Sequence, residues 1–260
     1  MPRFAANLTM LFNEVDFLER FSLAAAAGFK GVEFLFPYEF PAHEIAARLN
    51  AHELSQVLFN LPPGDWDSGE RGIACLPDRV EEFREGVIRA LHYAEALNCK
   101  QLNCLAGIKP PALSHDLAWQ TLRENVSFAA TELGARGVTL MLEAINSKVD
   151  MPGFFLDTSE KVIELIAQVG LPHVKLQCDI YHMQIMEGDI LRRIRQLQPH
   201  IGHIQFADNP GRHEPGTGEL NFSNIFRVLD DISYDGWVSA EYRPSTNTSD
   251  SLNWLSALGR

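Results

Sequence analysis

Short apolar runs recur along the chain, and segments with helical spacing separate them. Most of these runs are apolar on consecutive residues rather than on alternate ones, which is typical of strands buried on both faces of a parallel sheet. The pattern predicts eight strands, over residues 4–8, 31–36, 55–60, 100–105, 138–143, 174–179, 201–206 and 237–242.

A segment with helical spacing follows each predicted strand. In the first segment, Asn13 is placed as the N-cap and Gly28 ends the apolar face. In the fifth, Asp157 and Glu160 resemble a capping box, and Gly170 follows the apolar stripe. The pattern predicts helices over residues 14–27, 41–52, 77–97, 115–134, 157–169, 189–197, 222–232 and 249–258.

Eight alternations of strand and helix are typical of a closed (β/α)8 TIM barrel. No stretch has the composition of a linker, so we predict a single barrel domain over residues 1–260. An open, doubly wound sheet is the alternative fold. It has little support, because neither G-x-G-x-x-G nor G-x-x-x-x-G-K-[ST] follows the first apolar run.

Four polar residues stand at the predicted carboxyl ends of the last four strands. They are Glu143, Asp179, Gln205 and Glu241, separated by 36, 26 and 36 residues, each about one βα unit. In a barrel, these side chains would meet at the mouth where active sites form. A single carboxylate at a strand end is often only a helix cap or a loop ion pair. Four in successive units favour a shared site.

A shared site of this composition needs a cation. Burial of three carboxylates without a counterion is very costly, so a bound metal ion is the natural resolution. The set supplies only oxygen donors, which suits Mg²⁺ or Mn²⁺ better than zinc. We therefore expect a divalent metal, with Mg²⁺ as the first choice.

Composition and charge narrow the partners. The 260 residues are 46% apolar and 22% charged, as in ordinary globular proteins, and 34 acidic side chains outnumber 22 basic ones to give a net charge of −12. This charge disfavours nucleic acid and anionic membranes as partners. An enzyme acting on a small molecule is the default expectation.

The cysteines and the apolar segments indicate the compartment. The four cysteines have neither the paired spacing of a zinc site nor the density of a disulfide scaffold, which suits a reducing environment. We expect no signal peptide, and the most apolar segment, residues 23–29, is far shorter than the roughly 20 residues that span a bilayer. The expectation is a cytoplasmic protein.

Several longer motifs resemble one enzyme family. They are MLEAIN at 141–146, MPGFFL at 151–156, DIYHMQ at 179–184, GHIQFAD at 202–208, PGRHEPGTGE at 210–219 and YDGW at 234–237. These motifs are similar to those of the hydroxypyruvate isomerase family, which belongs to the xylose-isomerase-like barrels. Within it the chain is most similar to the 2-oxo-tetronate isomerase branch. Ala144 departs from the pattern, because relatives commonly have proline there.

The resemblance implies an isomerase that moves the carbonyl of a short 2-oxo sugar acid through an enediolate. It implies 2-dehydrotetronate and 3-dehydrotetronate as substrate and product, with hydroxypyruvate and tartronate semialdehyde as the alternative pair. A non-catalytic sugar-acid-binding barrel is a further alternative. The family implies that Glu143, Asp179, Gln205 and Glu241 ligate the metal and that Glu143 and Glu241 also transfer the proton. A homo-oligomer is plausible by the same resemblance.

Other residues are weaker candidates. His182 follows Asp179 by three residues and is expected to contact a substrate oxygen, although a lone histidine is often structural. Arg212, in a Gly- and Pro-rich loop, is expected to hold the substrate carboxylate or an oxygen near the reacting carbons, although exposed arginines are usually solvated. We interpret Glu187 as a helix-terminus charge. Asparagines at three other strand ends are candidates to line the pocket: Asn7, Asn60 and Asn103.

Overall fold

The computed structural model describes residues 2–258, in which every predicted apolar run contains a strand. All neighbouring strands are parallel, and the order closes on itself because β1 pairs with both β2 and β8. The closed TIM barrel is confirmed and the open sheet was wrong. The strands are β1 Arg3–Asn7, β2 Gly31–Glu33, β3 Ser55–Asn60, β4 Gln101–Cys104, β5 Thr139–Glu143, β6 Val174–Asp179, β7 Ile201–Phe206 and β8 Trp237–Ala240.

Helices cover the outside of the strands within residues 2–258, and none of them is both long and apolar enough to cross a membrane. Their buried faces and the outer faces of the strands form one continuous apolar core. The helices are α1 Arg20–Ala26, α2 Ala42–Ala51, α3 Val80–Ala96, α4 His115–Gly134, α5 Ser159–Val169, α6 Ile180–Met186, α7 Ile190–Leu197, α8 Phe222–Asp231, α9 Thr248–Ser251 and α10 Asn253–Leu258.

Two predicted helix starts were wrong. Helix α1 begins at Arg20 after a short 3₁₀ turn, so Asn13 lies in a loop and is not its N-cap. That loop is held away from helical geometry by the C-terminal segment, since Thr248 Oγ1 accepts from the backbone N–H of Phe12. Helix α5 is capped by Thr158 rather than by Asp157. The Asp157 carboxylate is engaged elsewhere, by the Lys161 ammonium at 2.7 Å.

Helix α6 was not predicted. It follows β6 without an intervening loop, because Asp179 Oδ1 accepts hydrogen bonds from the backbone N–H groups of Tyr181 and His182 and caps the helix. This cap places His182 in the first turn, beside the carboxylate that starts the helix. Strands β2 and β8 are also shorter than predicted, so Glu33 ends β2 and Glu241 lies one residue beyond β8.

Helix α10 packs against the first and seventh strands through aromatic rings. Trp254 of α10 meets Phe4 and Phe206 edge-on, with ring centroids 5.1 and 5.2 Å apart. These contacts attach the last described helix to β1 and β7. They also bring the C-terminal segment next to the loop that follows β1.

We predict that Trp254→Ala lowers the free energy of unfolding by about 3–5 kcal/mol, because it removes a large buried ring. Trp254→Phe is the matched control. It keeps a ring in place and loses the bond from the indole N–H to Tyr242 Oη at 3.1 Å, so it should cost less than half as much. Urea unfolding followed by circular dichroism measures both. Equal midpoints for the alanine variant and the wild type would contradict the docking of α10.

Candidate active site

The four predicted strand-end residues lie at the carboxyl end of the barrel. Each is buried, with 1–5% of its surface exposed. Glu143, Gln205 and Glu241 line one cavity of about 380 Å³, a size within the usual range for small-molecule sites. Asp179 lies beside them, with its Oδ2 atom 3.8 Å from Nη2 of Arg212, which lines the same cavity.

The two carboxylate oxygens of Asp179 have different surroundings. Its Oδ1 atom caps α6, whereas Oδ2 is buried and accepts no hydrogen bond. Glu143, Asp179 and His182 each offer one potential metal-ligand atom, and these three atoms lie within 4.8 Å of one another. Within residues 2–258 they form a possible metal-holding group. A buried carboxylate oxygen that accepts no hydrogen bond is costly, so this position favours a cationic ligand.

The orientation of His182 follows from Asn146. The Asn146 Oδ1 atom accepts from the backbone N–H groups of Val149 and Asp150, so its amide nitrogen faces His182 Nδ1 at 2.7 Å. Nδ1 must therefore accept, and the ring proton resides on Nε2. Nε2 lies 3.7 Å from Asp179 Oδ2 and 3.9 Å from Glu143 Oε1. A ring held in this tautomer presents an N–H donor to the cavity, which suits a substrate oxygen better than a metal ion.

Gln205 joins the cluster through its amide nitrogen. Its Nε2 donates to Glu241 Oε2 at 2.5 Å and to Glu33 Oε1 at 2.7 Å. Its oxygen accepts from the amide of Gln177 at 2.6 Å. In this arrangement, Gln205 orients Glu241 directly.

Arg212 neutralises part of this acidic cluster. Its Nη2 atom lies 2.6 Å from Glu241 Oε1, and the guanidinium is almost completely buried. The backbone of Arg212 is in the left-handed region, with φ of 57°, which is uncommon for a residue with a side chain. The surrounding loop holds it there, since its N–H donates to Asp208 O and its carbonyl accepts from the Arg243 N–H.

The glycine-rich loop that carries Arg212 is organised by Asp208. Both Gly216 and Gly218 donate their backbone N–H groups to Asp208 Oδ2, at 2.9 Å each. These amides are therefore engaged within the protein and do not form a phosphate cradle. The loop is built to hold a side chain in place, as its turn-rich sequence indicates.

Burial dominates the electrostatics of the carboxylates. It raises the pKa of Glu143 to about 8, with a further contribution from the charge of Asp179. It also raises the pKa of Glu241 and of Asp179, although the nearby Arg212 opposes the shift in both. The pKa of His182 is lowered well below its ordinary value by burial and by the charge of Arg212, so the ring is neutral. A site with these pKa shifts favours an added positive charge.

Two asparagines at strand ends hold the glutamates. The Asn7 amide donates to Glu241 Oε2 at 2.8 Å, and the Asn103 amide donates to Glu143 Oε2 at 2.9 Å. Asn60 lines the cavity. Glu187 lies outside the cavity lining and ends α6 rather than starting a helix. Its carboxylate accepts from Ser159 at the start of α5 and pairs with Arg193.

Comparison with known proteins shows which family shares this architecture. A family model described as xylose isomerase-like TIM barrel matches residues 21–258. The chain belongs to the xylose isomerase-like TIM barrel family. The family resemblance of the sequence motifs is thereby confirmed.

Relatives of this xylose isomerase-like barrel match over almost their whole length. The hydroxypyruvate isomerase of Escherichia coli (strain K12) is 49% identical over 255 residues, 98% of each chain. The 2-oxo-tetronate isomerase of Cupriavidus necator is 48% identical over 261 residues, 100% of each chain. A crystal structure described as AP endonuclease, family 2, from Brucella melitensis has a TM-score of 0.96 at 48% identity and covers 99% of both chains.

Glu33 is a residue of this xylose isomerase-like barrel that sequence reasoning missed. It is fully buried at the end of β2 and accepts from His203 Nε2 at 2.8 Å, Asn7 at 3.0 Å and Gln205 at 2.7 Å. Burial opposes its ionisation, but the charge and hydrogen bond of His203 hold its pKa below the ordinary value. The strand was predicted to run to residue 36, which concealed Glu33 as another carboxylate at a strand end.

We predict that Glu33→Ala lowers the free energy of unfolding by about 3–5 kcal/mol, because three buried donors lose their acceptor. Glu33→Gln keeps the shape and one acceptor oxygen, so it should cost about 1–3 kcal/mol. Urea unfolding measures both variants. Equal losses in the two variants would contradict a role for Glu33 as the shared acceptor of these donors.

Proposed function

We propose that this barrel is an isomerase that moves the carbonyl of a short 2-oxo sugar acid to the adjacent carbon, converting 2-dehydrotetronate and 3-dehydrotetronate into each other. Relatives named 2-oxo-tetronate isomerase and hydroxypyruvate isomerase support this reaction class. The observation that carries the proposal is that Glu143, at the end of β5, and Glu241, just after β8, line one cavity as buried carboxylates.

The reaction requires one group that removes a proton from a carbon and one that returns a proton to the adjacent carbon. The molecule as a whole is neither oxidised nor reduced. A proton leaves the carbon that bears the hydroxyl, an enediolate forms, and a proton returns to the former carbonyl carbon while the hydroxyl proton moves between the two oxygens. We assign the carbon-bound proton to Glu143 and Glu241, one removing it and the other returning it. The His182 Nε2–H donates to a substrate oxygen, and Arg212 stabilises negative charge beside Glu241.

We further propose that Glu143, Asp179, Gln205 and Glu241 hold a divalent metal ion, Mg²⁺ before Mn²⁺. The buried Asp179 Oδ2 without a donor supports a cation at this position. The set consists of oxygen donors, which Mg²⁺ prefers. The Gln205 oxygen accepts a hydrogen bond from the Gln177 amide, and Gln205 must give up this bond for its oxygen to ligate the ion. When bound, such an ion would supply Lewis-acid chemistry, polarising the substrate carbonyl and offsetting developing negative charge.

Hydroxypyruvate and tartronate semialdehyde are the alternative substrate pair. The same proton transfer serves both pairs, and a relative named hydroxypyruvate isomerase matches as well as one named 2-oxo-tetronate isomerase. Pockets separate ligands that differ by one carbon by only about 1–3 kcal/mol. Assay of both acids with the same preparation decides between them.

Two other functions have less support. The Brucella melitensis relative is described as an AP endonuclease, but a net charge of −12 repels a polyanion. The possible metal-holding group among the described residues contains two carboxylates and a single histidine. A non-catalytic sugar-acid-binding barrel has no need of a pair of proton-transfer groups, whereas Glu143 and Glu241 both line the cavity.

We also propose one barrel domain over residues 1–260, located in the cytoplasm. The family match over residues 21–258 supports the single domain. The four cysteines are all buried and free of disulfide bonds, and such cysteine usage is typical of proteins in reducing compartments. Assembly into a homo-oligomer stays a prediction from the family resemblance.

Incubation of the metal-loaded protein with 2-dehydrotetronate in deuterated buffer should move the carbonyl and place solvent deuterium on a reacting carbon. Glu143→Gln and Glu241→Gln should each lower turnover by at least about 10²-fold, because a positioned acid or base is lost. Mass spectrometry of the product measures both effects. Glu187→Gln, a buried carboxylate bound to Ser159 and Arg193, is the matched control.

Each other outcome of this experiment overturns a defined part of the proposal. Carbonyl migration with the label fully retained within the molecule would require a hydride shift. Binding without exchange or migration would leave only the sugar-acid-binding barrel. Near-normal turnover of either glutamine variant would remove that glutamate from the proton transfer.

Metal binding is tested by calorimetric titration of chelator-treated protein with Mn²⁺. Asp179→Asn should weaken binding by at least about tenfold, because a charged ligand becomes neutral. Glu187→Gln should bind like the wild type. His182→Asn should also retain binding within a few-fold, because His182 presents an N–H to the cavity; loss equal to that of Asp179→Asn would make His182 a ligand.

A further inference from the structure

Arg71 is a cation of the cavity that the proposed chemistry does not use. It lines the same cavity as Glu143 and Glu241. Arg212, by contrast, is already engaged by Glu241 at 2.6 Å. Within residues 2–258, Arg71 forms no ion pair: its Nη1 donates to the backbone carbonyls of Trp66 at 2.9 Å and Glu70 at 2.7 Å.

The free edge of the Arg71 guanidinium has the shape of a carboxylate receptor. Both of its hydrogen bonds to the protein use Nη1, so Nε–H and one Nη2–H point along the opposite edge without an acceptor in the described residues. Two parallel N–H groups match the two oxygens of a carboxylate. A neutral sugar would not require such a group.

The Arg71 guanidinium is held in place before any ligand binds. Its central carbon lies 4.1 Å from the ring centroid of Trp66, which also lines the cavity. The loop is closed at its base by a bond from the Gly72 N–H to Pro63 O at 2.9 Å. A Cβ at Gly72 would lie 2.3 Å from Leu105 O, so only glycine permits this close approach.

A second arginine at the cavity is less suited to the task. Arg243 also lines the cavity, but its side chain is exposed and forms no hydrogen bond or ion pair within residues 2–258. Ordering a free, solvated side chain costs part of the binding free energy, whereas a pre-organised one avoids that cost. Arg71, fixed by two carbonyls and an aromatic ring, is the better anchor.

We propose that Arg71 binds the carboxylate of the substrate and makes the site selective for sugar acids over neutral sugars. This inference rests on the proposed function, because a 2-oxo sugar acid supplies the carboxylate. In this proposal the cavity has two parts. The proton transfer takes place at the strand ends, and the substrate carboxylate binds at the loop after β3.

The test compares Arg71→Met, Arg71→Lys and Arg89→Met. Arg89 is the matched control, because its guanidinium also stacks on an aromatic ring, Tyr38 at 4.8 Å, and binds a backbone carbonyl, but it lies outside the cavity lining. The probes are erythronate, a four-carbon sugar acid without a ketone, and erythritol, its neutral counterpart. Binding is measured by calorimetry in the presence of Mg²⁺, and kinetics are measured with 2-dehydrotetronate.

Arg71→Met should weaken erythronate binding about 10- to 100-fold and raise KM by a similar factor, with kcat within a few-fold. Erythritol binding should not change. Arg71→Lys should be intermediate, because it keeps the charge and loses the fork. Arg89→Met should behave like the wild type.

The outcomes separate this inference from the proposed function. Isomerisation by the wild type with equal KM for Arg71→Met and Arg89→Met would overturn the role of Arg71 and keep the isomerase. Erythronate binding that depends on Arg71 without any turnover would overturn the isomerase and keep the anchor. A wild type that neither binds erythronate nor converts the acid would overturn both.

Discussion

The site depends on the burial of several carboxylates at one end of the barrel. Glu33, Glu143, Asp179 and Glu241 are each at most 5% exposed, and burial opposes the charge of all four. Arg212 is the cation that contacts this cluster most directly. Arg212 adopts a left-handed backbone conformation, which is unfavourable for a residue with a side chain. The loop around Asp208 holds this conformation, and the positive charge that it places beside the carboxylates offsets part of their burial cost. Burial of these charges lowers the stability of the fold, so their assembly indicates a functional role.

Asparagine side chains around this cluster are oriented by hydrogen bonds from the backbone, and this orientation fixes which of their atoms face the carboxylates and His182. Asn7 Oδ1 accepts from the Thr9 N–H, so its amide nitrogen must face Glu33 and Glu241. Asn146 is fixed in the same way and sets the tautomer of His182. The backbone at the strand ends therefore determines which atoms donate into the cavity. Such pre-organisation is what a reaction through a charged intermediate requires, because the donors need not reorient.

The sequence allowed the barrel and the four strand-end residues to be predicted because buried parallel strands leave continuous apolar runs. It failed where local signals compete with tertiary contacts. Asn13 has the chemistry of an N-cap, but Thr248 and Glu14 hold that segment as a loop. Glu33 was hidden because apolar residues continue past it, although the strand ends there. No spacing rule relates Arg71 to the strand ends, because its position depends on the packing of a loop.

The loop after β3 and the strand ends place different demands on the fold. The strand ends fix carboxylates within a closed ring of backbone hydrogen bonds, where a reacting carbon must be held closely. Arg71 instead sits on a loop closed by Gly72 and stacked on Trp66, so its position is set by contacts other than those that hold Glu143 and Glu241. Separating the two functions in this way lets a barrel keep one proton-transfer machinery while its loops select the substrate. In this proposal the acidic cluster performs the proton transfer, and the Arg71 guanidinium, which forms no ion pair within residues 2–258, selects the class of substrate.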